Sequence, residues 1–156
     1  MSIEIERRFL LKNDSWRTQA GAPKVLQQGY FTVEKECAIR VRIVGDDAWL
    51  TFKGYISDVS RSEYEYKIPH RDAVEMMRTM GPFNLEKHRY EIEHQGFVFE
   101  IDEYFGDNAP LVVVEIELPS EDTEFAKPDW LGEEITSNGK FTNAYLSKHS
   151  YSSWEK

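Results

Sequence analysis

Charged side chains of the same sign recur two residues apart in several segments of this chain. The pairs are Glu4/Glu6, Arg40/Arg42, Lys87/Arg89 and Glu115/Glu117. Residues two apart in a β-strand lie on the same face of the sheet, so each pair brings like charges together. Such neighbours cost free energy unless an opposite charge neutralises them. Divalent cations would neutralise the glutamate pairs, and a polyanion would neutralise the basic pairs.

Sorting all strand-like segments by alternation gives one charged face and one apolar face. The charged face collects Glu4, Glu6, Arg8, Arg40, Arg42, Lys53, Glu63, Glu65, Lys67, Lys87, Arg89, Glu91, Glu100, Asp102, Glu115 and Glu117. A sheet with one face in water would also alternate. Solvated faces usually mix in Thr, Ser and Gln, however, whereas these positions are almost all ionic. We therefore favour a ligand-binding face over a solvated one.

The elements that must hold these residues are mainly strands. Alternation and turn signals predict about eight of them, at residues 3–11, 25–33, 38–44, 49–53, 63–68, 85–93, 97–102 and 111–118. Residues 54–62 read as a polar loop. Helical spacing and capping signals predict helices at residues 16–20, 71–80 and 142–149, a helix start at 121–124 and a turn at 128–132.

About eight antiparallel strands can close into a barrel whose interior is just wide enough for one small ligand. The charged face then lines the interior, and the apolar face points outward. The predicted fold is α+β, a closed eight-stranded antiparallel tunnel with a charged interior and peripheral helices. Those helices would cover part of the outer face, and pairing with a second subunit as a homodimer could cover the rest.

The types of charged residue indicate the ligand. Paired glutamates without a supporting Cys or His cluster favour Mg²⁺ or Mn²⁺ over zinc, because hard cations prefer carboxylate and phosphate oxygens. Arginine and lysine would meet the remaining phosphate charge. The basic residues are too many for a monophosphate. Metal-assisted attack of water on a terminal phosphorus is the chemistry that this set could support.

Composition narrows the class of protein. The 156 residues predict one domain, residues 1–156, and the net charge of -9 disfavours nonspecific nucleic-acid binding. Cys37 is the one cysteine, and the chain opens without a secretory pattern, so we expect a cytoplasmic protein. Charges interrupt every apolar run before the roughly 18 residues of a membrane span, so we expect no membrane association.

The order of these motifs resembles the CYTH domain, also called the triphosphate tunnel metalloenzyme family, over essentially the whole chain. The family signature ExExK corresponds to residues 4–8, with arginine in place of the lysine. The other matching segments are Gln28-Gly29-Tyr30, Ile39-Arg40-Val41-Arg42, Leu50-Thr51-Phe52-Lys53-Gly54, Glu63-Tyr64-Glu65-Tyr66, Lys87-His88-Arg89-Tyr90, Glu100-Ile101-Asp102 and Glu115-Ile116-Glu117-Leu118.

The resemblance implies roles for these positions. Metal would bind at Glu4, Glu6, Asp102, Glu115 and Glu117. The triphosphate would contact Arg8, Arg40, Arg42, Lys53, Lys87 and Arg89, with Glu63 and Glu65 orienting the basic side chains and Lys140 capping the tunnel. Glu4, Glu6 and Arg8 would form the catalytic set. Tyr30 is placed by the resemblance near the tunnel mouth, although the outer apolar face is the alternative.

Three functions stay open on the sequence. The preferred hypothesis is hydrolysis of a small-molecule triphosphate, with inorganic tripolyphosphate giving pyrophosphate and phosphate. A class IV adenylate cyclase, forming cyclic AMP from ATP, would use a similar tunnel. A noncatalytic polyphosphate-binding module is the third, because Arg8 replaces the signature lysine and cannot transfer a proton at neutral pH.

Overall fold

The computed structural model describes residues 2–154 and is dominated by antiparallel strands. The strands are β1 Ile3–Leu11, β2 Lys24–Val33, β3 Ala38–Val44, β4 Asp47–Tyr55, β5 Ser60–Ile68, β6 Phe83–His94, β7 Phe97–Tyr104, β8 Val112–Glu117 and β9 Leu131–Glu134. The α-helices are α1 His70–Thr79 and α2 Asn143–Lys148, and 3₁₀ turns occupy Ser15–Gln19, Gly106–Asn108, Gly139–Phe141 and Tyr151–Ser153.

Strands β1 to β8 close into a barrel. Around the wall the order is β1-β5-β4-β3-β2-β6-β7-β8, and β8 returns to β1. The closing pair β1–β5 sets Glu4 opposite Arg61, and the β1–β8 pair sets Arg8 opposite Glu115. The second half of β1 also pairs with β9, outside the closed ring. The predicted eight-stranded tunnel is therefore confirmed, with one additional outer strand.

The hydrophobic core lies largely outside the barrel wall. Phe9, Phe99 and Ile116 are buried there against Trp16 and Trp130, because outward positions of the strands alternate with the charged inward ones. A second cluster lies between α1 and the strands β3 and β4. The inside-out arrangement expected from the alternation is thus present, with loops and helices covering the apolar outer face.

Gly29 on β2 permits the close approach of the segment that includes α1. A Cβ at this position would lie 2.5 Å from the sulfur of Met77 and 2.8 Å from Cγ of Pro82. Both distances are shorter than any ordinary carbon contact. The glycine therefore allows the helix and the following proline to pack directly on the strand.

Helix α2 closes one end of the barrel. Its Leu146 is buried with Leu85, Tyr104 and Val113, which project inward from β6, β7 and β8. The side-chain hydroxyl of Thr142 caps the helix by accepting a hydrogen bond from the backbone amide of Tyr145. These apolar side chains fill one end of the barrel, and the charged part of the interior next to them is an open cavity.

Two local predictions were wrong. The polar loop expected at 54–62 is shorter, because β4 continues to Tyr55 and β5 starts at Ser60. No helix begins at residues 121–124, where a turn is stabilised by Ser120 and Thr123. The turn expected at 128–132 runs directly into β9. This strand was not predicted from the sequence, because four residues are too few to show an alternating pattern.

The outer face of β5 exposes Tyr64 and Tyr66. Coverage of this surface by a second subunit stays a prediction. Among residues 2–154, no helix has the length and apolar character needed to cross a membrane.

Candidate functional site

A cavity of about 230 Å³ inside the barrel, the tunnel, collects most of the charged residues predicted from alternation. It is lined by Glu4, Glu6, Arg8, Tyr30, Ala38, Arg40, Arg42, Lys53, Arg61, Glu63, Glu65, Arg89, Glu100, Glu115, Glu117, Asn143 and Ala144. Seven of these side chains are acidic and six are basic. Residues from all eight wall strands, β1 to β8, meet here because consecutive inward positions of neighbouring strands lie side by side.

One side of the tunnel is a carboxylate cluster held by two cations. Arg8 donates from Nη2 to Oε1 of Glu6 at 2.8 Å, and its Nε lies 3.7 Å from Oε1 of Glu115. Lys53 donates to Glu4 at 2.9 Å and lies 3.4 Å from Glu63. The signature glutamates of β1 therefore have different partners: Glu6 pairs with Arg8 in β1 itself, and Glu4 pairs with Lys53 on β4, two strands away.

The glutamates differ in acidity as a result. Burial alone raises the pKa of Glu4, but Lys53 outweighs it and brings the pKa to about 2. Burial, together with the charges of Glu115 and Glu4, raises the pKa of Glu6 well above its ordinary value. Glu115 is the opposite case: burial opposes its ionisation, yet Lys87, Arg8 and Arg89 hold its pKa well below the usual range. Glu6 is thus held toward its neutral form beside the ionised Glu4 and Glu115.

The oxygen donors of this cluster suit a hard divalent cation in their chemistry, but their present positions do not converge on one point. Oε1 of Glu115 is buried and accepts no hydrogen bond, so one lone pair of a fully ionised carboxylate is unused. Within the described residues 2–154, no three Asp, Glu, His or Cys side chains converge at metal-binding geometry, because Glu4 and Glu6 turn to Lys53 and Arg8. Holding a metal would require these two ion pairs to loosen.

The other side of the tunnel carries excess positive charge. Arg42 donates from Nε to the amide oxygen of Gln28 at 2.7 Å, and no carboxylate of residues 2–154 lies within 4 Å of it. Burial, with Arg40 and Arg89 nearby, lowers the pKa of Arg42 to about 10. Arg40 lies 3.9 Å from Glu65. Burial lowers the pKa of Arg40, but Tyr30 and Glu4 outweigh burial and raise it, while its buried Nε has no hydrogen-bond partner. The charge of Arg42 is therefore the one that an anion in the cavity would stabilise most.

Inside the barrel an ion triad joins Lys87 and Asp102, which are fully buried, to Arg89, which reaches the tunnel. Asp102 accepts from Nζ of Lys87 at 2.6 Å and from Nε and Nη2 of Arg89 at 2.8 and 3.0 Å. Lys87 also donates to the amide oxygen of Asn143 at 3.2 Å, and the Tyr104 hydroxyl donates to the same oxygen. Burial disfavours ionised Asp102, but Arg89 and Lys87 keep its pKa below the ordinary value. The triad fixes Arg89 and anchors α2 to the barrel.

Three residues of the predicted site do not line the tunnel. Lys87 and Asp102 are completely buried in the triad, and both oxygens of Asp102 are taken by basic groups. Lys140 is exposed in the Gly139–Phe141 turn, in an adjoining cavity, where its Nζ lies 5.8 Å from the Trp154 ring. The roles assigned to these three positions by resemblance stay predictions.

Four residues of the site had no site role assigned from the sequence. Arg61 lines the tunnel two positions before Glu63, and extending the alternation into the supposed loop would have found it. Gln28 and Tyr30 lie on the inward face of β2. Tyr30 therefore lines the tunnel and does not belong to the outer apolar face. Asn143 follows from no strand pattern, because α2 delivers it from outside the barrel wall.

Comparison with known proteins matches residues 2–149 to the family model described as the CYTH domain. An inorganic triphosphatase of Acetivibrio thermocellus is 39% identical over 158 residues and covers 100% of both chains. An inorganic triphosphatase of Nitrosomonas europaea is 33% identical and covers 92% of this chain and 96% of its own. A crystal structure of an inorganic triphosphatase superposes with a TM-score of 0.66 at 32% identity, covering 94% of this chain and 95% of its own.

Proposed function

The chain belongs to the CYTH domain family, and on that premise we propose that it is a divalent-metal-dependent inorganic triphosphatase. Tripolyphosphate and water would give pyrophosphate and orthophosphate. The observation that carries the proposal is one cavity of about 230 Å³ in which Arg42 has a neutral hydrogen-bond partner only and Arg40 lies 3.9 Å from Glu65, with the glutamates of β1 and β8 lining the same cavity. Relatives named inorganic triphosphatase, at 39% and 33% identity, support the same substrate.

Substrate binding would rest on the basic side of the tunnel. Arg42, Arg40 and Arg89 present planar forks that can each meet two phosphate oxygens. Arg42 has a neutral partner only, so binding an anion there breaks no ion pair. The triad behind Arg89 would hold that guanidinium in place as the substrate enters. Glu63 and Glu65 would orient Lys53 and Arg40.

Metal binding would rest on Glu4, Glu6, Glu115 and Glu117. Mg²⁺ or Mn²⁺ suits this oxygen-only set. A bound divalent ion supplies positive charge to the phosphate oxygens and polarises water. The predicted ligand Asp102 would instead act by positioning Lys87 and Arg89, because both of its oxygens are already hydrogen-bonded.

The chain's own residues would act by positioning and by charge stabilisation. Water attacks the terminal phosphorus in line, the P–O bond to the bridging oxygen breaks, and the bridging oxygen leaves with pyrophosphate. Arg40 and Arg42 would stabilise the negative charge that develops on the phosphates. Arg8 stays protonated, since Glu6 and Glu115 raise its pKa despite the opposing effect of burial. It would therefore serve as a fixed cation and would not transfer a proton.

The direct test is turnover by the purified protein. Tripolyphosphate and ATP would each be supplied with Mg²⁺ or Mn²⁺, and orthophosphate, pyrophosphate and cyclic AMP measured. We expect metal-dependent release of orthophosphate and pyrophosphate from tripolyphosphate. Cyclic AMP formed from ATP would identify a cyclase, and tight tripolyphosphate binding without turnover under either metal would identify a binding module.

Replacing Arg8 tests the role of the fixed cation. Arg8→Lys is expected to keep hydrolysis within about tenfold of wild type, because a buried cation still faces Glu6 and Glu115. Arg8→Met removes that cation and leaves buried carboxylates uncompensated, a loss of about 3–5 kcal/mol when one partner of a buried pair is deleted. Initial rates and thermal unfolding of both variants would be compared. An inactive wild type that gains turnover as Arg8→Lys would contradict the proposed role.

A further inference from the structure

Strand β2 separates two strands that bring arginines to the tunnel. It lies between β3, whose Arg40 and Arg42 line the cavity, and β6, whose Arg89 does. On β2 the residue directly opposite Arg42 is Gln28, and on its other side Gln28 lies opposite Leu85 of β6. Arg42 therefore has a neutral polar residue as its neighbour across the β2–β3 pair.

Gln28 is fully buried and accepts a hydrogen bond from Arg42. Nε of Arg42 donates to Oε1 of Gln28 at 2.7 Å. The opposite orientation of the amide would bring two N–H donors together, so the oxygen must face the arginine. Within residues 2–154, Nη1 and Nη2 of Arg42 donate no hydrogen bond, and Arg42 lines the tunnel. The contact therefore holds one edge of the guanidinium and leaves its outer edge free.

The other half of the Gln28 amide is unpaired. Its Nε2 is buried and has no hydrogen-bond partner among the described residues. A buried N–H group without an acceptor costs free energy, and an apolar side chain of similar size, such as methionine, would avoid that cost. A glutamate would avoid it too and would also pair with the charge of Arg42. Stability alone therefore does not explain a glutamine at this position.

Arg42 carries a buried charge that the protein does not balance. Burial, with Arg40 and Arg89 nearby, lowers its pKa to about 10, which still leaves the group protonated at neutral pH. Arg8 and Arg89 differ, because each donates to a carboxylate at 2.8 Å. An anion that enters the tunnel can meet Arg42 without first breaking an ion pair. The neutral partner on β2 is what keeps this charge available.

We propose that Gln28 is a positioning residue for substrate binding: its neutral oxygen fixes the guanidinium of Arg42 without neutralising it, so that the full charge meets a phosphate group of the triphosphate. The proposal rests on the proposed function of the tunnel. Gln28 itself is not among the residues that line the cavity, and it acts through Arg42 alone. Its effect is on affinity for a highly charged anion and requires no additional bond-breaking step.

Gln28→Glu is expected to weaken binding of tripolyphosphate and at the same time to stabilise the empty protein. The carboxylate keeps the shape of the amide but pairs with Arg42, so the anion must compete for the guanidinium. Isothermal titration calorimetry in EDTA should give an affinity about 10- to 100-fold below wild type, the factor for losing a charge-assisted hydrogen bond. The midpoint of thermal unfolding without ligand should rise by about 2–8 °C, because the charge of Arg42 is then balanced.

Gln28→Met separates the effect of charge from that of shape. Methionine keeps most of the volume, removes the acceptor and leaves the charge of Arg42 intact. Affinity is expected to fall by only about two- to tenfold, the factor for an ordinary hydrogen bond. The expected order of affinity is therefore wild type, then Gln28→Met, then Gln28→Glu, and kcat/KM with Mg²⁺ should follow it. A residue that only packs would give the opposite order of the two variants, because glutamate matches the shape of glutamine more closely.

Gln27→Glu is the matched control. It adds the same charge one residue away, on the outer face of β2, where Gln27 is exposed and lies 3.5 Å from Glu86. Affinity for tripolyphosphate should stay within about twofold of wild type. The unfolding midpoint should not rise, because the new carboxylate faces another one across the strands. A loss of affinity as large as that in Gln28→Glu would indicate a general effect of charge and overturn the proposal.

Three further results would show that Gln28 does not act in this way: unchanged affinity in Gln28→Glu, a lower unfolding midpoint in that variant, or weaker binding by Gln28→Met than by Gln28→Glu. In each case the proposed function stands as long as wild type binds tripolyphosphate. Failure of wild type to bind it, with or without Mg²⁺, would contradict the proposed function and the role of Gln28 with it. The unfolding midpoint is measured without ligand, so it tests the contact between Gln28 and Arg42 in either case.

Discussion

Glu115→Gln is expected to lower metal-dependent hydrolysis of tripolyphosphate by about 100-fold or more, because stabilisation of phosphoryl-transfer charge by a metal is worth several kcal/mol. Glutamine keeps the shape of the side chain but removes the charge that Arg8, Arg89 and Lys87 stabilise. It also replaces one carboxylate oxygen with an amide NH₂ that binds no cation. Oε1 of Glu115 is the buried acceptor left unused by the protein, so this position should respond most strongly.

The measurement has two parts. Initial rates over a range of Mg²⁺ and Mn²⁺ concentrations give the loss of turnover, and titration calorimetry gives the loss of metal affinity. Glu86→Gln is the matched control, since Glu86 is partly exposed on β6 and faces His88, away from the tunnel. Its rates should stay within about twofold of wild type. Unchanged metal affinity in Glu115→Gln would exclude this residue as a ligand.

Asp102→Asn is expected to destabilise the fold by about 3–5 kcal/mol, the cost of removing one partner from a buried ion pair. The change leaves Lys87 and Arg89 buried with too few acceptors, and an amide NH₂ would face their N–H donors. For a chain of this size the midpoint of thermal unfolding should fall by roughly 6–20 °C, at about 2–4 °C per kcal/mol. Glu103→Gln, the neighbouring position facing exposed Arg17, is the control and should change stability by less than about 1 kcal/mol.

The pH dependence of Asp102→Asn has a defined sign. Because the folded-state pKa of Asp102 is depressed, its ionisation stabilises the fold above the unfolded pKa of about 4 and ceases to do so as the pH falls through the folded value. The difference in stability between wild type and Asp102→Asn should therefore narrow in acid. Metal affinity measured on the same variant tests its role: an unchanged value supports positioning, and a large loss would restore Asp102 as a ligand.

The alternation of charged and apolar residues predicted most of this architecture, because each strand position in a closed barrel faces either the interior or the outside. Once Glu4 and Glu6 are assigned to the interior, the strand period also assigns Arg8. The alternation of charged with apolar positions in their own strands assigns Arg40 and Lys53, with no knowledge of strand order. The ring order of the strands could not be obtained in this way, since it depends on which edges pair. The sequence likewise contains no signal that β9 would add to the edge of β1.

How deeply each inward side chain is buried could not be predicted from the sequence either. Lys87 and Arg89 have the same alternation, yet Lys87 is fully buried under Asn143 whereas Arg89 reaches the tunnel. Only the position of α2 distinguishes them, and a helix that enters from outside the barrel has no register with the strands. Arg61 was missed for another reason, because the polar composition of residues 54–62 obscured the start of β5.

The first strand connects distant parts of the chain: β1 pairs with β5, with β8 and with β9. Such pairings carry a large loop-closure entropy, and folding that depends on them is slow. During synthesis Glu4 and Glu6 emerge more than a hundred residues before Glu115. The carboxylate cluster can assemble only when the barrel has closed, so nascent chains that lack β8 should have no functional site to engage with metal or polyphosphate.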